Sequence, residues 1–164
     1  LNDIYEKTVV VGLGNPILSD DGIGIHVVSR AERMLEGSVP GVDFRLNHSG
    51  GLDLMDELAG YKRAIIVDCI RTGKVDPGTC VICDIRNEQR ITTDRLTLSH
   101  GLSLPEIIEA GLLCGYSMPE SVMVLGVEAA DITTFSEEPT AEVASSIDEA
   151  VAVLKKCITS SETR

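Results

Sequence analysis

Residues 9–25, VVVGLGNPILSDDGIGI, decide the fold. Val9, Val10 and Val11 form an apolar run without polar alternation, the pattern of a parallel strand covered on both faces. The run breaks at Gly12, Leu13, Gly14 and Asn15, and the adjacent carboxylates Asp20 and Asp21 follow. Apolar residues then return at helical spacing as Val27, Val28, Ala31, Met34 and Leu35, ending by Gly37. This is a β-loop-α unit. Such a turn often cradles phosphate, but a Gly-x-Gly-x-x-Gly fingerprint needs glycine where Ile17 stands, and no Gly-Lys-Ser/Thr follows. Asp20 and Asp21 would moreover repel a pyrophosphate at the helix start. No nucleotide cofactor is expected.

Working outward, Gly41 to Leu46 alternates Val42, Phe44 and Leu46 against Asp43 and Arg45, a half-exposed strand broken by His48, Ser49, Gly50 and Gly51. Leu54, Met55, Leu58 and Ala59 give a short helical face. Arg63 to Asp68 reads as a second buried strand with a carboxylate at its carboxyl end. A turn at Asp76, Pro77 and Gly78 leads to a strand over 79–85, and Arg86 to Gly101 reads as a long polar loop of the kind that often carries function. Ser103 and Glu106 have capping-box spacing and open a helix through Ile107, Ile108 and Leu112. Ser121 to Glu128 is a further strand. Thr140 is placed to cap one last helix, with Val143, Ile147, Ala150, Val151, Leu154 and Ile158 on its apolar face. Alternating strands and helices without repeats or linkers predict a single α/β domain over 1–164, a three-layer α/β/α sandwich of about five mostly parallel strands, with a frayed tail at 159–164.

The bulk properties narrow the class. A chain of 164 residues buries roughly two thirds of its unfolded surface, enough for a core without disulfides. The five cysteines show no disulfide spacing, which suits reduced thiols and a cytoplasmic protein. Cys80 and Cys83 form a CxxC, but on a strand residues three apart point to opposite faces, so chelation is not expected. Residues 1–7 have mixed charge and lack the pattern of a signal peptide, and no apolar run approaches the ~18 residues of a membrane span. A net charge of −12 with scattered Lys and Arg argues against nucleic acid. The expected partner is a protein or a small molecule, and the chain itself is expected to be a monomer.

In open α/β sheets ligands sit beyond the carboxyl ends of the strands. One residue of the Asp20–Asp21 pair is expected to cap the following helix, leaving the other to project toward that edge. Asp68 ends its strand there, and His100 enters from the polar loop. Two carboxylates and an imidazole would form an O/O/N site for a divalent transition metal with positions left open. No nucleophile elbow, Ser/His/Asp arrangement or HExxH helix is present.

Taken together, Gly12–Asn15 with Ser19–Gly24, Ser49–Gly51, Ile66–Asp68, Ser99–His100 and Gly126–Glu128 resemble the [NiFe]-hydrogenase maturation endopeptidases in order and spacing, over nearly the whole chain. The resemblance implies a nickel-dependent endopeptidase of aspartic or metal type. Such an enzyme removes a carboxyl-terminal extension from the hydrogenase large-subunit precursor after nickel insertion, the nickel coming with the substrate. It implies Asp21, Asp68 and His100 as the catalytic, metal-contacting residues, with Asp21 rather than Asp20 at the family's ligand position and Asp20 left to helix capping. It also implies Ser49, Gly50, Gly51 and Asp53 in substrate recognition. Ala129 departs from the proline that often follows Gly-x-Glu in the family. Two other readings share features of the chain: a non-enzymatic nickel-binding accessory protein using the same three ligands, and a peptidyl-tRNA hydrolase-like esterase, which shares Val11–Pro16 but not the sequence that follows.

Overall fold

The strand at the head of the chain, Thr8–Leu13 (β1), is buried along its whole length and pairs in parallel on both edges. The computed structural model describes residues 7–85 and 103–160. Flanking β1 are Val42–Asn47 (β2) and Arg63–Ile70 (β3). Beyond β3 lie Ser121–Glu128 (β5), also parallel, and Cys80–Asp84 (β4), which runs antiparallel at the edge; the order is β2-β1-β3-β5-β4. Residues of Ile23–Leu35 (α1) and Ile147–Thr159 (α5) pack with Val10, Ile65 and Leu125 on one face. Residues of Gly51–Leu58 (α2) and Leu104–Leu113 (α3) pack with Val9, Val11 and Ile66 on the other. The sheet period of two thus feeds two separate cores, and the three-layer sandwich with five mostly parallel strands is the observed architecture.

The same period separates the CxxC thiols. Cys80 packs in the α1/α5 layer and Cys83 in the α2/α3 layer. Three local expectations are revised. β3 runs two residues past Asp68, held by β5. The last helix is two, Ala141–Ser145 (α4) and α5, broken at Ser146, whose hydroxyl takes the Val143 carbonyl at 2.8 Å and so competes with the helical ladder. Thr140 stands at the first helix's N-cap position, yet its hydroxyl bonds Asp20 instead of a helical N–H.

Two constraints hold the Asp20–Asp21 turn in place. The first is the seat of α1: a Cβ on Gly24 would collide with the carbonyl oxygens of Leu13 and Val67, so the helix start sits directly on the ends of β1 and β3. The second is Asp20, fully buried in the 3-10 turn Ser19–Gly22. Its Oδ2 accepts the N–H groups of Ala130 and Asp131, both at 2.8 Å, while Oδ1 accepts the Thr140 N–H at 2.7 Å and its hydroxyl at 3.0 Å. Asp20 therefore does not cap α1, whose N-cap is Gly22; it ties both ends of segment 130–140 to the turn. Among the described residues no helix is long and apolar enough to cross a membrane.

Two stability measurements check these constraints. Gly24→Ala should lower the unfolding free energy in urea by about 3 kcal/mol, because two backbone carbonyls must move; a loss under about 0.5 kcal/mol would show that α1 is free to lift. Asp20→Asn turns an amide NH2 toward N–H donors and should cost about 3 kcal/mol. An unchanged melting curve would contradict the tie.

Candidate functional site

From the end of β1 the chain turns through α1 to β2 on one side, while β3 lies on the other, so the sheet has a topological switch point between β1 and β3. In open α/β sheets the crevice beyond such a point is where ligands bind. Here β1 pairs with β3 only as far as Gly12 opposite Val67, and β3 continues to Ile70 on β5 alone. Asp68 is the first residue of β3 past the β1 ladder. Asp21 arrives from the 3-10 turn that α1 presses onto the same strand ends.

Between the two carboxylates sits Cys69. Its N–H donates to Asp68 Oδ1 at 2.8 Å and its thiol to Asp21 Oδ1 at 3.4 Å. Asp21 Oδ2 accepts the Asn15 N–H at 3.0 Å, so the glycine turn holds the second oxygen. Both carboxylates are buried, Asp21 at 3% and Asp68 at 4% exposure. Both thus reach the sheet edge without facing open solvent. Burial pushes the Asp68 carboxyl up to about 7, against the pull of the Cys69 N–H and with a further push from the charge of Asp21. Burial, then the charges of Asp68 and Asp21, push the Cys69 thiol up as well. It stays a neutral donor and is no thiolate nucleophile.

At the carboxyl end of β2, next to that of β1, Asn47 turns the chain. Its Oδ1 accepts the N–H groups of Ser49 at 3.1 Å and Gly50 at 2.6 Å. Gly50, at φ 62° and ψ −151°, occupies a region open only to glycine and begins α2. Ser49, Leu52 and Asp53 are left exposed beside a half-buried Gly51. Glu128, at the end of β5, folds back the loop after β3: its carboxylate accepts the Thr72 N–H at 2.9 Å, the Thr72 hydroxyl at 2.8 Å and the Gly73 N–H at 2.7 Å. Its role is to shape that loop.

The structure brings Asp21 and Asp68 to one crevice and sets Ser49, Gly50, Gly51 and Asp53 on the neighbouring strand end. His100, with Ser99 and the polar loop 86–101, lies outside the described residues. Among the described residues no group of three or more His, Cys, Asp or Glu is arranged to hold a metal ion. Cys69 escaped the sequence reading, and Asn15 entered it only as the end of the glycine turn. A cysteine in an apolar strand looks like core; the usable signal was its position directly after the strand's only carboxylate.

Residues 48–156, about two thirds of the chain, match the family model HycI, hydrogenase maturation protease. The hydrogenase 2 maturation protease of Escherichia coli K12 is 28% identical over 74% of this chain and 72% of its own length. The hydrogenase expression/formation protein HupD of Rhodobacter capsulatus is 27% identical over 90% of this chain and 69% of its own. In fold, the chain is similar to the hydrogenase maturating endopeptidase HybD from E. coli, with a TM-score of 0.75 at 22% identity over 95% of this chain and 94% of that one. It is also similar to the maturation protease HycI from Thermococcus kodakarensis, with a TM-score of 0.71 at 18% identity over the same shares. The extent of the family match places the chain in the hydrogenase maturation protease family.

Proposed function

We propose that this protease removes a carboxyl-terminal extension from a [NiFe]-hydrogenase large-subunit precursor, reading the nickel that the precursor carries as the signal that it is ready. The observation that carries the reading is the buried pair Asp21 and Asp68 at the switch point, joined through Cys69, whose thiol donates to Asp21 and whose backbone N–H donates to Asp68. Two carboxylates desolvated side by side repel each other, and a divalent cation delivered to them relieves both the repulsion and the lost hydration. Asp68 holds its proton near neutral pH and gives it up when the cation arrives. Asp21, fixed at both oxygens by Asn15 and Cys69, is aimed in advance. His100 is the third ligand in this reading, and the metal and these carboxylates make it an aspartic or metal-type endopeptidase. A cation so placed can also polarise a nearby peptide carbonyl. Ser49, Gly50, Gly51 and Asp53 receive the substrate chain at the end of β2.

Incubating the purified chain with nickel-loaded and nickel-free precursor, and following loss of the carboxyl-terminal peptide by mass spectrometry, tests the reading. Only the loaded precursor should be cut; equal cleavage of both sinks the signal role, and cleavage of neither sinks the function. Asp21→Asn, Asp68→Asn and His100→Ala should each lower processing by about a hundredfold or more while the protein stays folded by circular dichroism.

Asp68 also predicts a pH dependence of stability. Its folded value of about 7 lies above its ordinary 3.8, so the folded chain binds the extra proton. The stability this supplies is fully present below the ordinary carboxylate range and is lost as pH rises through about 7. Denaturation of Asp68→Asn should lack that decline; an identical slope in wild type and variant would contradict the assignment.

A further inference from the structure

Segment 130–140 borders the site. Its ends are tied by Asp20, and its interior is equally constrained. The Asp131 carboxylate accepts the Thr133 N–H at 2.8 Å, the Thr133 hydroxyl at 2.9 Å and the Thr134 N–H at 3.1 Å. The Ser136 N–H donates to the Ile17 carbonyl at 3.0 Å and the Ser19 N–H to the Ser136 carbonyl at 2.8 Å, so Leu18 and Ser136 form a short parallel bridge. One step before that bridge, in matching register, stand Ile17 and Phe135. They are 47% and 81% exposed.

A segment with this many hydrogen bonds could have turned an aromatic ring inward, yet it holds Phe135 out in water. Apolar side chains fixed on a rigid backbone lose little freedom on binding, which is what makes an aromatic anchor effective at an interface. Ile17 lies four residues before Asp21, next to the turn that carries that carboxylate. The exposed Glu137 and Glu138 follow Phe135, giving the pair an acidic rim on a chain of net charge −12.

We propose that Ile17 and Phe135 form a docking ledge for the hydrogenase precursor, taking an apolar segment with basic flanks and setting the register in which the chain reaches Asp21 and Asp68. This rests on the processing reading above. Ile17 and Phe135 are positioning residues and take no part in peptide cleavage.

Steady-state processing of nickel-loaded precursor by the full chain separates the two. Phe135→Ser and Ile17→Ser should raise KM, by about thirtyfold for Phe135 if it contributes a hot-spot value of about 2 kcal/mol, with kcat within about twofold. Phe135→Leu should recover most of the loss, and reversing charge at Glu137→Lys with Glu138→Lys should raise KM severalfold. The melting temperature of each variant should match wild type, since the bridge is made by backbone groups. Wild-type KM in both serine variants overturns the ledge and leaves the processing reading standing. Absence of cleavage by the wild-type chain overturns both. A fall in kcat at unchanged KM overturns the positioning role, and dimerisation of the wild-type chain that Phe135→Ser abolishes in sedimentation assigns the ledge to a second copy and overturns it as well.

Discussion

The site depends on how closely α1 sits on the sheet. Gly24 lies against the Leu13 and Val67 carbonyls, where any side chain would collide, and that contact sets the height of the 3-10 turn above the crevice. The turn holds Asp20 and Asp21 out of water, and Asp68 on β3 is buried as well. Two unusual features of the site follow from that burial: the raised proton affinity of Asp68 and the neutral thiol of Cys69.

Asp20 and Asp21 show how neighbours of identical chemistry diverge through their surroundings. Asp20 meets the N–H groups of Ala130, Asp131 and Thr140 and the Thr140 hydroxyl, and its charge is consumed in closing segment 130–140. Asp21 meets one backbone N–H and one weak thiol donor, so its charge is held in place and only lightly neutralised. One carboxylate organises the rim of the crevice; its neighbour supplies the interior. Because they are adjacent, the tie that orders the rim also fixes the group in the centre.

Much of this was legible in the chain. The unalternating valines of β1 and the buried run of β3 have the pattern of strands covered on both faces, and the three- and four-residue spacing after Asp21 that of an amphipathic helix, because local periodicity reports local geometry. The capping box at Ser103 was legible for the same reason: the Ser103 N–H donates to Glu106 Oε2 at 2.7 Å within one turn. Where partners lie far apart in sequence, no local signal existed. Asp20 bonds residues more than a hundred positions away, so a capping role looked sufficient, and the break at Ser146 depends on a hydroxyl that a smooth apolar face conceals.

By itself, then, the sequence determined the layer architecture and the glycine turn in place of a phosphate loop, since each follows from periodicity, charge or residue type within a short span; Asp21 rather than Asp20 was singled out beside Asp68 only by the family resemblance. Only the tertiary structure decided that these carboxylates are buried, that Cys69 stands between them, that Asp20 is a structural tie, and that Ile17 and Phe135 are held out together. Those outcomes turn on distances between segments and on the solvent excluded when α1 meets the sheet, quantities that do not exist until the chain has closed on itself.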